Sequence, residues 1–332
     1  MSGQTFKLAA IQAAPVLFDK KASTDRACRL ISEAGKKGVQ FAVFGECWLP
    51  GYPFWIEGGV SDLTWEASAV YLENSIRLDG PEVSALCEAA AASSVDVVIG
   101  VAEKDPHSEG TAYCTALTIG KEGVVLNRHR KLKPTHAERI IWGDGDGAGL
   151  NVFSRDYGRI SALNCWEHQM MLPAYALAAQ GTQVHAALWP GWEKTPRDGE
   201  MCWARQHLLS RAFASQSASY VVCSAGLRMD KDIPDRWRPL GAWEHPGRSA
   251  IIDPRGEIIA EAGAGEEEIL VAEGSLSVVR AAKSACDIAG HYSRPDIFTF
   301  GVDRTPTDAR ALFFDSPETH QDFDGTDEAQ DE

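Results

Sequence analysis

Three reactive side chains stand where apolar segments of the chain end. Glu46 closes "FAVFGE", Lys131 closes "VVLNRHRK" and Cys165 closes "RISALNC". In sheet-based proteins, groups at strand ends are held by the sheet and open toward loops, so three of them can converge on one recess. A thiol has an ordinary pKa of about 8.5 and needs a base or a positive neighbour to attack at neutral pH. Glu46 can accept the thiol proton once burial raises its own proton affinity. Lys131 and the backbone N–H after Cys165 can hold the negative charge that develops when sulfur adds to a carbon–nitrogen centre.

Each residue also has an ordinary reading. A cysteine at a strand end usually packs as a small hydrophobe. A glutamate after an apolar strand is commonly the first solvated residue. A lysine in "HRKLK", with Arg128, Arg130 and Lys133 nearby, fits a basic surface or an anion site. A Cys–His–Asn or Cys–His–Asp arrangement is the other way to build a thiol hydrolase, and His136, His168 and His185 keep it open. Cys47 adjoins Glu46, but strand alternation sends it to the opposite side, so packing is its expected role. Cys165 and His168 are three apart, yet no second pair has metal-ligand spacing. No metal and no organic cofactor is expected.

The elements that must position these groups follow from periodicity and turn signals. Strands are expected at "FKLAAIQAA", "QFAVFGE", "DVVIGVAEKD", "TQVHAALWP", "SYVVCSAG", "GRSAIIDPRG" and "EEILVAEGSL". Two hairpins are expected, "TAYCTALTIG" with "GVVLNRHRK" and "NVFSRDYG" with "GRISALNC". Helical patterns cover about 21–37, 63–76, 81–93 and 199–217, and another starts near Pro173. Pro81 suits a first helical position. Residues 132–150 form a Gly-, Asp- and Pro-rich loop of a length that is often functional. Helices alternate with strands, some of them hairpin-joined, which predicts an α/β fold with mixed sheets and helices outside. No GxGxxG follows the first strand, so a dinucleotide-binding fold fits less well.

Composition bounds the rest. The chain has 332 residues, 44% hydrophobic and 24% charged, enough for a large core. Its net charge of −15 repels nucleic acid and anionic membrane, so neither is an expected partner. Asp315–Glu332 holds eight acidic residues and no Lys or Arg, and reads as a solvated, disordered tail. No apolar run is long enough to span a bilayer and no signal peptide is evident, so a cytoplasmic setting is expected. The eight cysteines include no CxxC pair and read as free thiols.

Three separated segments carry a family likeness: "FGECWLPGYPFW" around Glu46, "HRKLKPTHAERIIWGDGDG" from His129, and "LNCWEHQMMLPAYALAAQGTQVHAALWP" from Leu163. With them, the chain resembles the nitrilase branch of the nitrilase/amidase carbon–nitrogen hydrolase superfamily. "CWEH", "RKLKPTHAER" and "WGDGDG" favour the nitrilases over the amidases. The resemblance implies an α-β-β-α sandwich over residues 1–304, with 305–332 as a C-terminal extension. It implies Cys165 as nucleophile, Glu46 as general base, Lys131 as stabilising cation and Glu138 as a second glutamate. Glu138 as a surface partner of Arg139 is the ordinary alternative. The implied reaction converts an organic nitrile to the carboxylic acid and ammonia through a thioimidate and a thioester. Substrate-lining candidates are Tyr52, Trp55, His136, Trp142, Trp166, Glu167, Trp189 and Pro190, and their aromatic character favours aryl or arylaliphatic nitriles. An aliphatic amidase or carbamoylase, a cyanide hydrolase and a non-catalytic assembly protein are the competing readings. Family members form dimers, and nitrilases often extend these into helical filaments, so self-association is expected.

Overall fold

The computed structural model describes residues 5–57, 59–191, 201–241 and 244–307. The expected acidic tail from Asp315 lies outside the described residues. The chain opens with β1 (Thr5–Gln12), α1 (Lys20–Lys36) and β2 (Phe41–Val43). Helices α2 (Asp62–Asn74) and α3 (Pro81–Ser93) come next, then β3 (Asp96–Lys104), β4 (Ala112–Gly120) and β5 (Val124–Arg130). A second set follows: β6 (Phe153–Arg155), β7 (Gly158–Asn164), α4 (Met171–Ala179), β8 (Val184–Trp189), α5 (Met201–Ser217) and β9 (Tyr220–Ala225). The described chain continues with β10 (Leu227–Arg228), β11 (His245–Pro246), β12 (Ala250–Ile252), β13 (Ile258–Glu261), β14 (Glu268–Ser275) and α6 (Leu276–Ala285).

Two six-stranded sheets form the frame, in the orders β14-β1-β2-β3-β4-β5 and β13-β12-β9-β8-β7-β6. Strands β1, β2 and β3 run parallel, as do β7, β8 and β9, while the outer pairs are antiparallel. Both expected hairpins are present, β4 with β5 and β6 with β7. Strand alternation divides the side chains between layers. Leu8, Ala10, Phe41, Val43 and Val98 meet Ala162, Val184, Ala186 and Val222 between the sheets. Ala9, Ile11, Ala42 and Val97 instead face Ala27, Ile31 and Ala34 of α1 and Leu86 and Ala90 of α3. On the far side, Leu163, Ala187, Val221 and Ile252 pack on Leu177 of α4 and Phe213 and Ala214 of α5. This is the α-β-β-α sandwich.

Local chemistry accounts for the helix boundaries. Asp19 caps α1 by accepting from the Ala22 N–H at 2.8 Å, and Ala27, Ile31 and Ala34 give it one buried stripe. Pro81 opens α3, where no N–H is needed. Helix α4 begins at Met171, two residues before the proline that was expected to mark its start. Strand β2 is shorter than "QFAVFGE" predicts. Past Phe44 the chain leaves its own sheet, and the Glu46 N–H donates to Trp189 O at the end of β8, 3.0 Å away.

Glycines permit this crossing. A Cβ on Gly45 would lie 2.8 Å from the Gly226 nitrogen, and one on Gly100 would lie 2.3 Å from Gly45 O and 2.4 Å from the Cys47 nitrogen. The two sheets therefore touch backbone to backbone at their carboxyl ends. No helix among the described residues is long and apolar enough to cross a membrane. Gly100→Ala should cost about 1–3 kcal/mol through overpacking, seen as a lower urea midpoint. An unchanged midpoint would mean that the Gly45–Cys47 segment does not lie this closely on β3.

Candidate active site

Lys131 is the first residue after β5, and its N–H donates to Cys114 O at 2.7 Å, which holds the lysine against the sheet. Its ammonium lies between two carboxylates, 2.7 Å from Glu46 Oε1 and 2.6 Å from Glu138 Oε2. All three side chains are buried. Glu138 reaches this point from a 3-10 turn, His136–Ile140, inside the expected loop. The same Oε2 accepts from the Thr135 N–H at 2.7 Å, and Oε1 accepts from the Tyr52 hydroxyl at 2.9 Å. Glu46 Oε1 also accepts from the Cys114 thiol at 3.5 Å. Glu46 Oε2 has no hydrogen-bond partner among the described residues.

Two carboxylates around one ammonium leave a negative excess in a buried site, so proton affinities rise. Burial pushes Glu46 up to about 7; Lys131 opposes this and Glu138 reinforces it. For Lys131, burial works against the charge, but Glu46 and Glu138 outweigh it and hold the ammonium above its usual range. Cys165 is raised well above an ordinary thiol by burial and then by Glu46, against Lys131 and the Trp166 N–H. The resting thiol therefore keeps its proton, and a base must remove it before sulfur attacks.

Cys165 follows β7 directly, with φ at +46°, a conformation that non-glycine residues adopt only when their surroundings impose it. Glu167 supplies much of that constraint. Its carboxylate pairs with His129 Nε2 at 2.9 Å and accepts from the N–H groups of Leu132 and Asn164 at 2.9 and 2.8 Å. Burial raises the proton affinity of Glu167, but His129 and the backbone donors overcome it and hold the carboxyl below its usual range. One buried carboxylate thus joins the turn carrying Cys165 to the segment carrying Lys131.

A recess of about 80 Å³ opens over Cys165. Of the candidates read from the sequence, Tyr52, Trp166, Trp189 and Pro190 line it. The other four do not. Trp55 is buried against Phe18, Phe54 and Tyr71, with its Nε1 donating to Ser68 Oγ at 3.0 Å, because its segment turns back onto α2. Trp142 lies behind the recess, 5.7 Å from the Tyr52 ring and 5.8 Å from the Lys131 ammonium. His136 sits one layer out, edge-on to Trp166 at 5.7 Å. Glu167 is turned inward to His129, so its expected contact with substrate is replaced by a structural one.

Arg205, Gln206 and His245 also line the recess, and none was singled out from the sequence. Arg205 lies over the Trp166 ring at 5.1 Å. His245 Nδ1 donates to Pro190 O at 2.8 Å, and burial, then Arg228, keep its ring neutral. Arg205 and Gln206 sit in a helix and His245 in a two-residue strand, so no strand-end signal marked them. The Cys–His–Asn or Cys–His–Asp alternative is not built here: the hydrogen bond of His168 in this turn goes to Cys165 O, a backbone atom. Cys47 is buried in packing, as expected, although the strand has ended at Val43 and a left-handed backbone, not alternation, places it there. Among the described residues, no group of three or more His, Cys, Asp or Glu side chains is disposed to hold a metal ion.

A carbon–nitrogen hydrolase family model matches residues 7–284. The chain belongs to the carbon–nitrogen hydrolase family. It is 49% identical to "Nitrilase 2" of an unknown prokaryotic organism, over 90% of this chain and 92% of that one. It is 36% identical to an aliphatic nitrilase of Rhodococcus rhodochrous, over 91% and 84% of the two chains. An arylacetonitrilase of Aspergillus niger is also 36% identical, over 90% and 88%. These relatives put the carbon–nitrogen hydrolase in the nitrilase branch, as its motifs implied. Its fold matches Saccharomyces cerevisiae Nit3, with a TM-score of 0.69 at 24% identity over 87% of this chain and 97% of that one.

Glu167→Gln keeps the shape of the side chain but sets an NH2 group against N–H donors. Leaving buried donors without an acceptor in this way costs about 1–3 kcal/mol each. Thermal unfolding of this hydrolase should show the loss, and a variant as stable as the parent would remove Glu167 from its joining role.

Proposed function

We propose that this carbon–nitrogen hydrolase converts an organic nitrile and two waters to the carboxylic acid and ammonia. The observation that carries the reading is the buried Glu46–Lys131–Glu138 cluster beside Cys165. It sets a base of raised proton affinity and a fixed cation close enough to act on the Cys165 thiol that lines the recess. The names of the relatives, "Nitrilase 2", "Aliphatic nitrilase" and "Arylacetonitrilase", support the same substrate class. Glu46 takes the thiol proton as Cys165 sulfur adds to the nitrile carbon, and that proton passes to nitrogen to give a thioimidate. A glutamate then takes a proton from water, whose oxygen adds to the same carbon. The tetrahedral intermediate expels ammonia once its nitrogen is fully protonated and leaves a thioester. A second water cleaves the thioester and returns the proton to sulfur. Expulsion of the thiol from the tetrahedral intermediate would instead release an amide.

Lys131 and the Trp166 N–H are the groups that hold charge on the adding nitrogen or oxygen. Tyr52, Trp166 and Trp189 give the recess aromatic walls, which supports an aryl or arylaliphatic substrate. We place the reaction in the cytoplasm, where the thiol stays reduced. Self-association as a dimer and a helical filament belongs to the same reading. The exposed side chains of Met171, Leu172, Tyr292, Ile297 and Phe298 support it.

Cys165→Ala should abolish nitrile hydrolysis, and mass spectrometry with a slowly processed nitrile should find the adduct on Cys165 and not on Cys47. Near wild-type turnover by the alanine variant would end the assignment. The kcat/KM profile should fall on an acid limb near pH 7, because Glu46 accepts a proton only as the carboxylate. Glu138→Gln removes a negative neighbour that raises the proton affinity of Glu46, so the residual activity should show that limb displaced to lower pH. A limb that stays in place would separate Glu46 from the titration.

A further inference from the structure

Behind Cys165, four polar side chains form a chain between the second sheet and α4 and α5. His168 Nδ1 lies 2.7 Å from Cys165 O, and His168 Nε2 lies 3.0 Å from His185 Nε2. His185 Nδ1 lies 2.8 Å from Ser161 Oγ, which accepts from the Thr182 hydroxyl at 3.0 Å. Ser161 and His185 are paired in register across β7 and β8, so the sheet itself sets their contact. Both histidine rings are buried and ring-packed, His168 on Trp189 at 5.4 Å and His185 on Phe213 at 3.9 Å.

The proton positions in this chain follow from its acceptors. A carbonyl oxygen only accepts, so His168 Nδ1 carries hydrogen. Burial pushes His168 down to about 4, so its ring is neutral and Nε2 is a bare acceptor. His185 Nε2 must therefore be the donor. Burial, then His168, holds His185 well below its ordinary value, so its Nδ1 is bare and Ser161 must donate to it. The titratable groups near the two rings are Cys165, Glu167 and His129; α5 presents Phe213 and the end of β8 presents Trp189. Every hydrogen bond then points the same way, from Ser161 through His185 and His168 to Cys165 O.

Cys165 O and the Trp166 N–H belong to one planar peptide unit and point in opposite directions. Fixing the carbonyl fixes the N–H. We propose that Ser161, His185 and His168 form a directional hydrogen-bond relay. It holds and polarises the Cys165–Trp166 peptide, aiming the Trp166 N–H at the sulfur and at the charge that develops beside it. The three are positioning residues, since none of them lines the recess. Cooperative polarisation along such a chain strengthens its last donor. The relay also accounts for His168 in "CWEH" and for a serine and a histidine facing each other within otherwise apolar strands. It rests on the reading of Cys165 as nucleophile.

The test compares His168→Leu, His168→Asn and Ser161→Ala in the full-length enzyme. The Asn amide can donate to Cys165 O where the imidazole did, and Leu cannot. Loss of a single preorganised donor costs about 10²–10³ in kcat, so a misaimed one should cost roughly tenfold or more in His168→Leu. KM should change little, and His168→Asn should recover most of the loss. Ser161→Ala frees His185 to take the opposite tautomer and should lower kcat severalfold.

Iodoacetamide labelling of Cys165, read by mass spectrometry, should shift to higher pH in His168→Leu and not in His168→Asn. This readout needs no substrate, so it tests the relay even if the wild-type enzyme fails to hydrolyse nitriles. Nitrogen-15 spectra should show His168 as the Nδ1–H tautomer and His185 as the Nε2–H tautomer, neither titrating between pH 5 and 9. Equal impairment of the Leu and Asn variants would reduce His168 to a space-filling residue and overturn the proposal. So would wild-type kcat in Ser161→Ala, or an Nδ1–H tautomer at His185. If His168→Leu does not fold, Ser161→Ala and the tautomers decide the matter.

Discussion

The lysine ammonium between two buried carboxylates is the interaction on which this site depends. Each of these ions loses several kcal/mol of hydration on burial, and only close geometry with further hydrogen bonds offsets that. Lys131 has both contacts at 2.6–2.7 Å, and Glu138 adds donors from Thr135 and Tyr52. The cluster remains one positive charge short of neutral. That imbalance raises the proton affinity of Glu46, and the same burial keeps the Cys165 thiol protonated at rest. One unfavourable arrangement thus produces both a base and a substrate for that base. The cost is spread over a large apolar sandwich.

Bringing these groups together is the work of the sheet ends. Glu46 and Lys131 leave the first sheet and Cys165 leaves the second, so the site exists only where the two sheets meet. The meeting is close because Gly45 presents bare backbone to Gly226, while Gly100 lets the Gly45–Cys47 segment lie on β3. Glu46 is then held by a hydrogen bond to Trp189 O of the opposite sheet. Glu167 and His129 make a second tie across the same seam. A seam of backbone bonds and one buried carboxylate–imidazole hydrogen bond is stiff, which suits a left-handed residue at Cys165.

Much of this was legible in the order of residues. Glu46, Lys131 and Cys165 were marked by apolar runs that stop at a polar group, and Glu138 by its place in the "KPTHAE" segment. Both hairpins and the outward helices followed from periodicity and turns. Other readings failed for reasons that local pattern does not carry. Trp55 and Tyr52 lie three residues apart in one turn-rich segment, yet one reaches the recess and the other packs on α2. Glu167 was expected to face substrate, and His129, thirty-eight positions away, turned it into the scaffold.

The sequence alone determined the alternation of strands and helices, because side-chain period and turn chemistry act over a few residues. It also singled out Glu46, Lys131 and Cys165 as candidates, through their places at strand ends and the family likeness of the segments around them. Only the tertiary structure decided what surrounds them. Strand register set Ser161 against His185, sheet stacking brought Trp189 to Glu46, and α5 delivered Arg205 and Gln206 to the recess. Gln12 makes the same point: its side chain bonds Ser249, Gly263 and Glu266, more than two hundred positions away. Such contacts depend on the packing of whole layers, whose relative placement is set by the sum of many weak apolar contacts and by no short motif.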